Sequence, residues 1–362
     1  MDRASNQEAL NVKKHTRLIA LLMALALVLA ACGGDESADT TAAADGGLIC
    51  EVTDVGGVDD KGFNASAWAG AQRAAADFGA EAKVLESQAE TDYEVNLNSF
   101  IDDDCDLIVT VGFLLGDATQ TAANANPDQN FTIVDFAYDE GVIENNNVKG
   151  LVFNTDEAAF LAGYAAAGVT ETGVVGTFGG VNIPPVTIFM NGFVRGVRHY
   201  NMVKGTDVQV LGWDPDTQEG SFTNNFESLD DGRAFAQSLV DEGADIVMPV
   251  AGPVGLGSAA LANELGTFLI VGVDVDGFEA DTNNAGVYLT SVLKRIDNAV
   301  YAASDDALSG SFDGSLYVGT LDNEGVGLAP FHDQADQISS ELQSELDALR
   351  DDIISGAVDI SS

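Results

Sequence analysis

The chain has 362 residues, with 15 Lys and Arg against 58 Asp and Glu, for a formal charge of −43. That length accommodates two lobes of ordinary size, and 46% hydrophobic content with only 7 Pro excludes a disordered or collagen-like polymer. So acidic a surface repels nucleic-acid phosphates and anionic lipid, and three Cys are too few for a disulfide scaffold or a cysteine-based zinc site.

Residues 1–17 are polar and carry Arg3, Lys13, Lys14 and Arg17, and residues 18–31 are then uninterruptedly apolar. Such a run is short for a bilayer span, which needs about 20 residues, and matches the apolar core of a secretory signal. It ends Leu29-Ala30-Ala31-Cys32, which resembles the lipobox of bacterial lipoproteins, with Cys32 as the residue that receives lipid. An uncleaved anchor and a buried helix are the competing readings. Charge, length and cleavage site agree on a lipoprotein signal over 1–31. Residues 32–47 are small and polar without periodicity, and read as a flexible tether.

From Leu48 onward short apolar runs alternate with longer stretches of helical spacing. The runs predict strands at Leu48–Thr53, 83–86, Leu107–Val111, Phe131–Val134, Val148–Phe153, 173–178, 208–211, Ile246–Val250 and 268–273. Between the first two, Phe63, Ala67, Ala71, Ala74, Ala75 and Phe78 share one helical face, and Gly79 suits the C-terminal stop. Residues 160–165 and 235–240 repeat the helical pattern. Strand–helix alternation of this kind predicts an α/β fold with parallel sheets covered by helices on both faces. A polar break at 154–156 and a new glycine-rich start at Gly173 divide it into two lobes. Residues 288–292 and a helix over 293–308 read as a return to the first lobe, and Leu342, Leu346, Leu349 and Ile353 as a final helix packed on the second. The expected lobes are thus 48–153 with 276–320, and 154–275 with 321–362.

Cys50 falls in the first strand and Cys105 just before the third. Outside the cytoplasm they can form a disulfide if the fold brings their Cα atoms within about 7 Å; two separately buried thiols are the alternative.

The ends of the predicted strands carry Asp54, Gly112-Phe113, Asp135, Phe178-Gly179-Gly180, Gly252 and Asp274. Glycines let backbone approach a ligand, a carboxylate accepts two hydroxyl hydrogen bonds, and an aromatic ring offers a flat apolar face. Any one of these alone is as well explained by a cap or turn; their recurrence at six strand ends predicts a small-molecule cleft. Other chemistries find little support. Only His199 and His332 lie outside the signal, far apart, and no G-x-S-x-G is present. Gly252 to Gly257 has neither dinucleotide-binding nor P-loop spacing, and the sequence after Asp274 departs from a calcium loop at Phe278. Neither a metal site nor a cofactor is expected. The acidic clusters read as solvated faces. Lys294, one of five Lys beyond the signal, reads either as an ordinary surface Lys or as a site residue.

These residues resemble a known family. V-T-D-V-G-G-V-D-D-K-G-F-N at 52–64 is similar to the opening of the basic membrane protein lipoproteins, whose purine nucleoside receptor branch is the best understood. Further similarities follow in order: V-G-F-L-L-G-D-A-T (111–119), F-L-A-G-Y (160–164), G-T-F-G-G (176–180), N-G-F-x-R-G (191–196), G-W-D (212–214), P-V-A-G (249–252), G-V-D-V-D (272–276) and T-S-V-L-K (290–294). The resemblance implies a type I periplasmic binding protein fold, two α/β lobes joined by three crossovers. It also implies a non-enzymatic, extracytoplasmic, lipid-anchored protein that hands nucleosides to an ABC transporter permease. Under it Asp54 binds the base, Phe63 stacks on it with Asn64 beside it, and Asp135 lines the pocket. Asp274 accepts the ribose hydroxyls and Lys294 bonds the sugar. The family's second stacking aromatic falls near 249–254, where this chain has none. A ligand-sensing lipoprotein and a nucleoside hydrolase are the alternatives.

Overall fold

The structure is a computed structural model that describes residues 46–361. The signal, Cys32 and most of the tether lie outside those residues. The first half runs β1 (Leu48–Thr53), α1 (Phe63–Phe78), β2 (Glu81–Leu85), α2 (Tyr93–Asp102), β3 (Leu107–Val111), α3 (Gly116–Ala125), β4 (Phe131–Val134) and β5 (Val148–Phe153). There follow α4 (Thr155–Val169), β6 (Val174–Gly179), α5 (Pro184–Lys204), β7 (Gln209–Leu211) and a small hairpin of β8 (Trp213–Asp214) and β9 (Glu219–Gly220). Then come α6 (Leu229–Asp241), β10 (Ile246–Val250), α7 (Val254–Leu265), β11 (Leu269–Asp274), α8 (Gly277–Ala280) and β12 (Tyr288–Lys294). The chain ends with α9 (Ile296–Leu308), β13 (Tyr317–Gly319), β14 (Val326–Leu328) and α10 (Ser340–Ser355).

Two six-stranded sheets result, ordered β2-β1-β3-β4-β5-β13 and β7-β6-β10-β11-β12-β14. Every pairing is parallel except the β12–β14 edge. The central strands are buried on both faces, which is why they read as continuous β-branched runs. In each sheet the strand order reverses once, between β1 and β3 in the first and between β6 and β10 in the second. Open α/β sheets bind ligands at such switch points, beyond the carboxyl ends of the strands.

One expected boundary is corrected. The sequence pattern places residues 276–294 with the first lobe, but β12 pairs in parallel with β11 in the second sheet, from Thr290 opposite Val271 to Leu293 opposite Asp274. The return comes only after Lys294, and α9 then packs against α1 of the first lobe. Leu293 and Lys294 accordingly lie in a strand, not in the helix expected over 293–308. The chain crosses between sheets after β5, after β12 and between β13 and β14. The last helix, α10, buries Leu342, Leu346, Leu349 and Ile353 and packs on α4 of the second lobe.

Helix α1 ends at Gly79 in the left-handed conformation (φ 70°), which leaves the C-terminal turn free of Cβ strain. Its buried face is built from Ala67, Ala71, Ala74 and Ala75 as expected, but Phe78 is exposed and Phe63 is half-buried. Cys50 and Cys105 are joined in a disulfide, with Cα atoms 6.1 Å apart, tying β1 to the turn before β3. No described helix is long and apolar enough to cross a membrane.

Candidate functional site

A cavity enclosing about 620 Å³, counted to its mouth, opens between the carboxyl ends of the two sheets. Eight of the nine predicted ligand-binding residues line it: Asp54, Phe63, Asn64, Phe113, Asp135, Gly252, Asp274 and Lys294.

Phe178 does not. It is fully buried in the second lobe, its ring 5.4 Å from that of Phe235 on α6, so it is a core residue. Side chains of a strand alternate between faces, and proximity to a strand's end does not decide which way a ring turns.

Asp54 follows β1 directly. Its Oδ1 accepts a hydrogen bond from the Asn64 Nδ2 at 2.9 Å. Room for the carboxylate comes from Gly112, at φ +120°, where a Cβ would stand 2.5 Å from Asp54 Oδ2. Asn64 is itself buried, and its Oδ1 has no protein partner. A buried acceptor without a partner is costly.

Asp60 also lines the cavity. Its carboxylate accepts from the backbone N–H groups of Gly62 (2.9 Å), Asn64 (2.8 Å) and Ala65 (3.0 Å), satisfying donors that α1 leaves free at its start. Asp60 therefore fixes the helix that carries Phe63 and Asn64.

Asp135 and Asp274 close β4 and β11 in matching ways. Both adopt φ +67°, a left-handed conformation that costs a non-glycine residue energy and recurs where function over-determines the backbone. Between them lies Lys294, the last residue of β12 and 2% exposed. It forms a short ion pair with Asp135 across the two lobes and stands 4.0 Å from Asp274. Its ammonium also faces the rings of Phe63 (4.8 Å), Phe153 (5.4 Å) and Phe189 (5.8 Å). Lys294 is therefore not an ordinary surface Lys: it is buried and lines the cavity. A second ion pair between the lobes, Lys61 with the buried Asp281 at 3.2 Å, lies at the neighbouring edge of the cleft.

Burial raises every carboxyl here. Asp54 is pushed up to about 8 by desolvation, with the Asn64 hydrogen bond opposing and the charges of Asp60, Asp135 and Asp274 adding to the rise. Asp274 is pushed up to about 6, again by desolvation first, with Lys294 pulling it back. Asp135 and Asp60 are raised for the same leading reason, and Lys294 and backbone donors respectively restrain them. Despite this crowding, among the described residues no three ligating side chains converge as a metal site requires.

Sequence reasoning did not find the aromatic groups of the second lobe. Phe189, from α5, and Phe226, from the loop before α6, both line the cavity. Gly180 makes space for the second, since a Cβ there would meet the Phe226 ring at 2.3 Å. Neither Phe sits at a strand end, so the strand-end pattern had no means of pointing to them; the glycine pair after β6 was the available signal.

The profile of the family described as ABC transporter substrate-binding protein PnrA-like matches residues 49–362. The chain belongs to that family. The similarity extends to curated relatives over nearly the whole chain. The CD4+ T-cell-stimulating antigen of Listeria monocytogenes is 31% identical, over 96% of this chain and 99% of its own. The ABC transporter nucleoside-binding protein BmpA of Lactococcus lactis is 30% identical, over 97% and 99%. Among solved structures, an ABC transporter solute-binding protein from Aeropyrum pernix superposes with a TM-score of 0.77 at 26% identity, covering 86% of this chain and 92% of that one. The resemblance drawn from the motifs is thereby confirmed, and so is the type I periplasmic binding fold. The protein is a member of an extracytoplasmic ABC substrate-binding family.

Proposed function

We propose that this protein binds a purine nucleoside in the interlobe cavity and delivers it to an ABC permease, held at the outer face of the cell membrane by lipid on Cys32. The observation that carries the ligand class is the polarity of the cavity's two ends. Asp274 and Lys294 offer a buried carboxylate beside a buried cation, which suits a vicinal diol: the carboxylate accepts two charge-assisted hydrogen bonds and the ammonium donates to a sugar oxygen. Asp54 and Asn64 offer a second hydrogen-bonding edge, suited to a base. Phe63 from the first lobe and Phe226 from the second supply apolar faces for the two sides of a flat ring. Phe226 thus fills the place of the aromatic missing at 249–254. The Lactococcus relative is named as a nucleoside-binding protein, which supports a nucleoside as the ligand class.

Binding is by capture. The two lobes close on the ligand because ligand touches both, and the closed state gains only those contacts that the open state lacks. We assign no catalytic residue, so nucleoside is released unchanged.

Calorimetric titration with purine ribonucleosides and their 2′,3′-dideoxy analogues tests this. One ribonucleoside binds per chain, and the dideoxy analogue is weaker by roughly a hundredfold or more, because it leaves Asp274 unpaired. Asp274→Ala loses binding by a similar factor while remaining folded. Equal affinity for both sugars, or unchanged affinity in the variant, refutes the ribose assignment.

A further inference from the structure

We propose that Lys61 and Asp281 form a latch between the lobes, one that sets how long the closed protein keeps its ligand without touching the ligand itself. The ligand is the nucleoside of the capture reading above, on which the latch rests.

Neither residue lines the ligand cavity. Both line a smaller chamber that adjoins it and shares Asp60, Gly252, Val273 and Asp274 with it. The first lobe contributes only Asp60, Lys61 and Gly62 to this chamber; its other lining residues all come from the second. The chamber is therefore closed only while the lobes are together, and its first-lobe wall is the loop that leads into α1.

The two partners are prepared separately for one contact. Asp281, just after α8, is 2% exposed and is oriented by its own lobe. Its Oδ2 accepts from Asn284 Nδ2 at 2.7 Å and from the Tyr288 hydroxyl at 3.4 Å. Among the described residues, its Oδ1 accepts from Lys61 alone, at 3.2 Å across the gap between the lobes. Lys61 has a left-handed backbone at φ +56°, uncommon for a lysine, and Asp60 pins that turn by accepting from the Gly62 N–H. The Lys61 ammonium thus reaches, from a fixed loop, toward a carboxylate that is already in place.

Closure affects the two charges unequally. Separating the lobes removes the 60–62 wall and admits water to Asp281, whereas the Lys61 side chain is 42% exposed even when closed. Closing therefore dries one carboxylate, and the ammonium offsets that penalty. An ion pair made only in the closed state stabilises that state alone. The Lys294–Asp135 pair also joins the lobes, but it lines the cavity, within a ligand's reach. Lys61–Asp281 acts alike on every ligand.

The consequence is kinetic. Ligand enters and leaves through the open form, so a bond made only after closure slows release and does not alter entry. Contacts to the ligand are the same with or without the latch, and so is the preference between ligands.

The experiment measures association and chased dissociation of radiolabelled adenosine, guanosine and inosine, for the unaltered protein and three variants. Lys61→Met speeds release about tenfold or more, because the closed state then holds Asp281 dry without its cation, while association changes by less than about twofold. Asp281→Asn speeds release by only about threefold, since a neutral amide needs no counter-charge. The double variant releases at the Asp281→Asn rate, more slowly than Lys61→Met alone, because the carboxylate that needed the cation is gone. The discrimination between ribose and dideoxyribose is the same in all four proteins. Unchanged release in Lys61→Met, multiplied acceleration in the double variant, or a loss that falls on association overturns the latch while leaving nucleoside binding intact. If none of the three nucleosides binds, the nucleoside reading falls, and the latch is decided on the solute retained through purification. Dialysed together and weighed by native mass spectrometry, Lys61→Met keeps a smaller loaded fraction than the unaltered protein; equal fractions overturn the latch.

Discussion

On its first-lobe side the cavity is met by three carboxylates, Asp54, Asp60 and Asp135, together with the Asn64 amide; on its second-lobe side it is met chiefly by apolar groups such as Ile183, Val186, Phe189 and Phe226, with Asp274 and Lys294 at one end. The two walls store energy differently. Apolar surface awaiting a ligand loses little by waiting, whereas desolvated carboxylates are costly until something donates to them. The first lobe therefore supplies selectivity at the expense of stability, and the second supplies area. Lys294 joins the two: it comes from the second lobe and neutralises a carboxylate of the first.

The largest expected effect comes from removing that joint. Lys294→Met leaves Asp135 buried without its partner and should destabilise the protein by about 3 kcal/mol in denaturant unfolding. Adding Asp135→Asn should recover most of the loss, as a pair coupled within one contact must. Additive losses in the double variant would show that the ion pair does not connect the lobes.

Phe178→Ala sharpens the distinction between core and cavity. The ring is fully enclosed against Phe235, so its loss should cost about 3–4 kcal/mol of stability and leave ligand affinity unchanged in the folded fraction. Phe226→Ala should do the reverse, with a roughly tenfold to hundredfold loss of affinity by calorimetry and little change in unfolding. If both variants moved the same quantity, the division between the two aromatic residues would be wrong.

A smaller effect concerns Asp54 in the absence of ligand. Its carboxyl is raised from an ordinary 3.8 to about 8, so across that interval the folded protein holds a proton that the unfolded chain has released. Stability consequently falls as pH rises through the interval, and the full cost is reached above the folded value. Asp54→Asn removes the cost and should stabilise the empty protein by about 1–3 kcal/mol at alkaline pH, with little gain at acid pH. Thermal unfolding at both ends of the range checks this; equal gains at both would point to packing instead of ionisation.

Much of the architecture was readable in the sequence, and the reasons differ by element. Strands β3, β4 and β10 matched their apolar runs residue for residue because parallel strands buried on both faces leave no charged interruptions. That uniformity also hid which sheet each strand joins. Nothing in the composition of β12 distinguishes a neighbour of β11 from a neighbour of β5, and its placement went wrong for that reason. The site was readable where it used strand ends, as with Asp54, Asp135 and Asp274. It was unreadable where side chains arrive from a helix or a long loop, as with Phe189 and Phe226, whose place in the cavity depends on how the second lobe packs. Periodicity alone showed Phe63 as one member of a helical face, and only the family resemblance gave it a stacking role; it is half-buried, against the full burial of Ala67 and Ala71, and lines the cavity.

The central claim is that the space between these unlike walls holds a nucleoside. Its most direct test is native mass spectrometry of the protein purified from its own cells with no ligand added, followed by identification of what is released on unfolding. The account predicts a purine nucleoside in a one-to-one complex. A bound sugar, peptide or other solute in its place would contradict it.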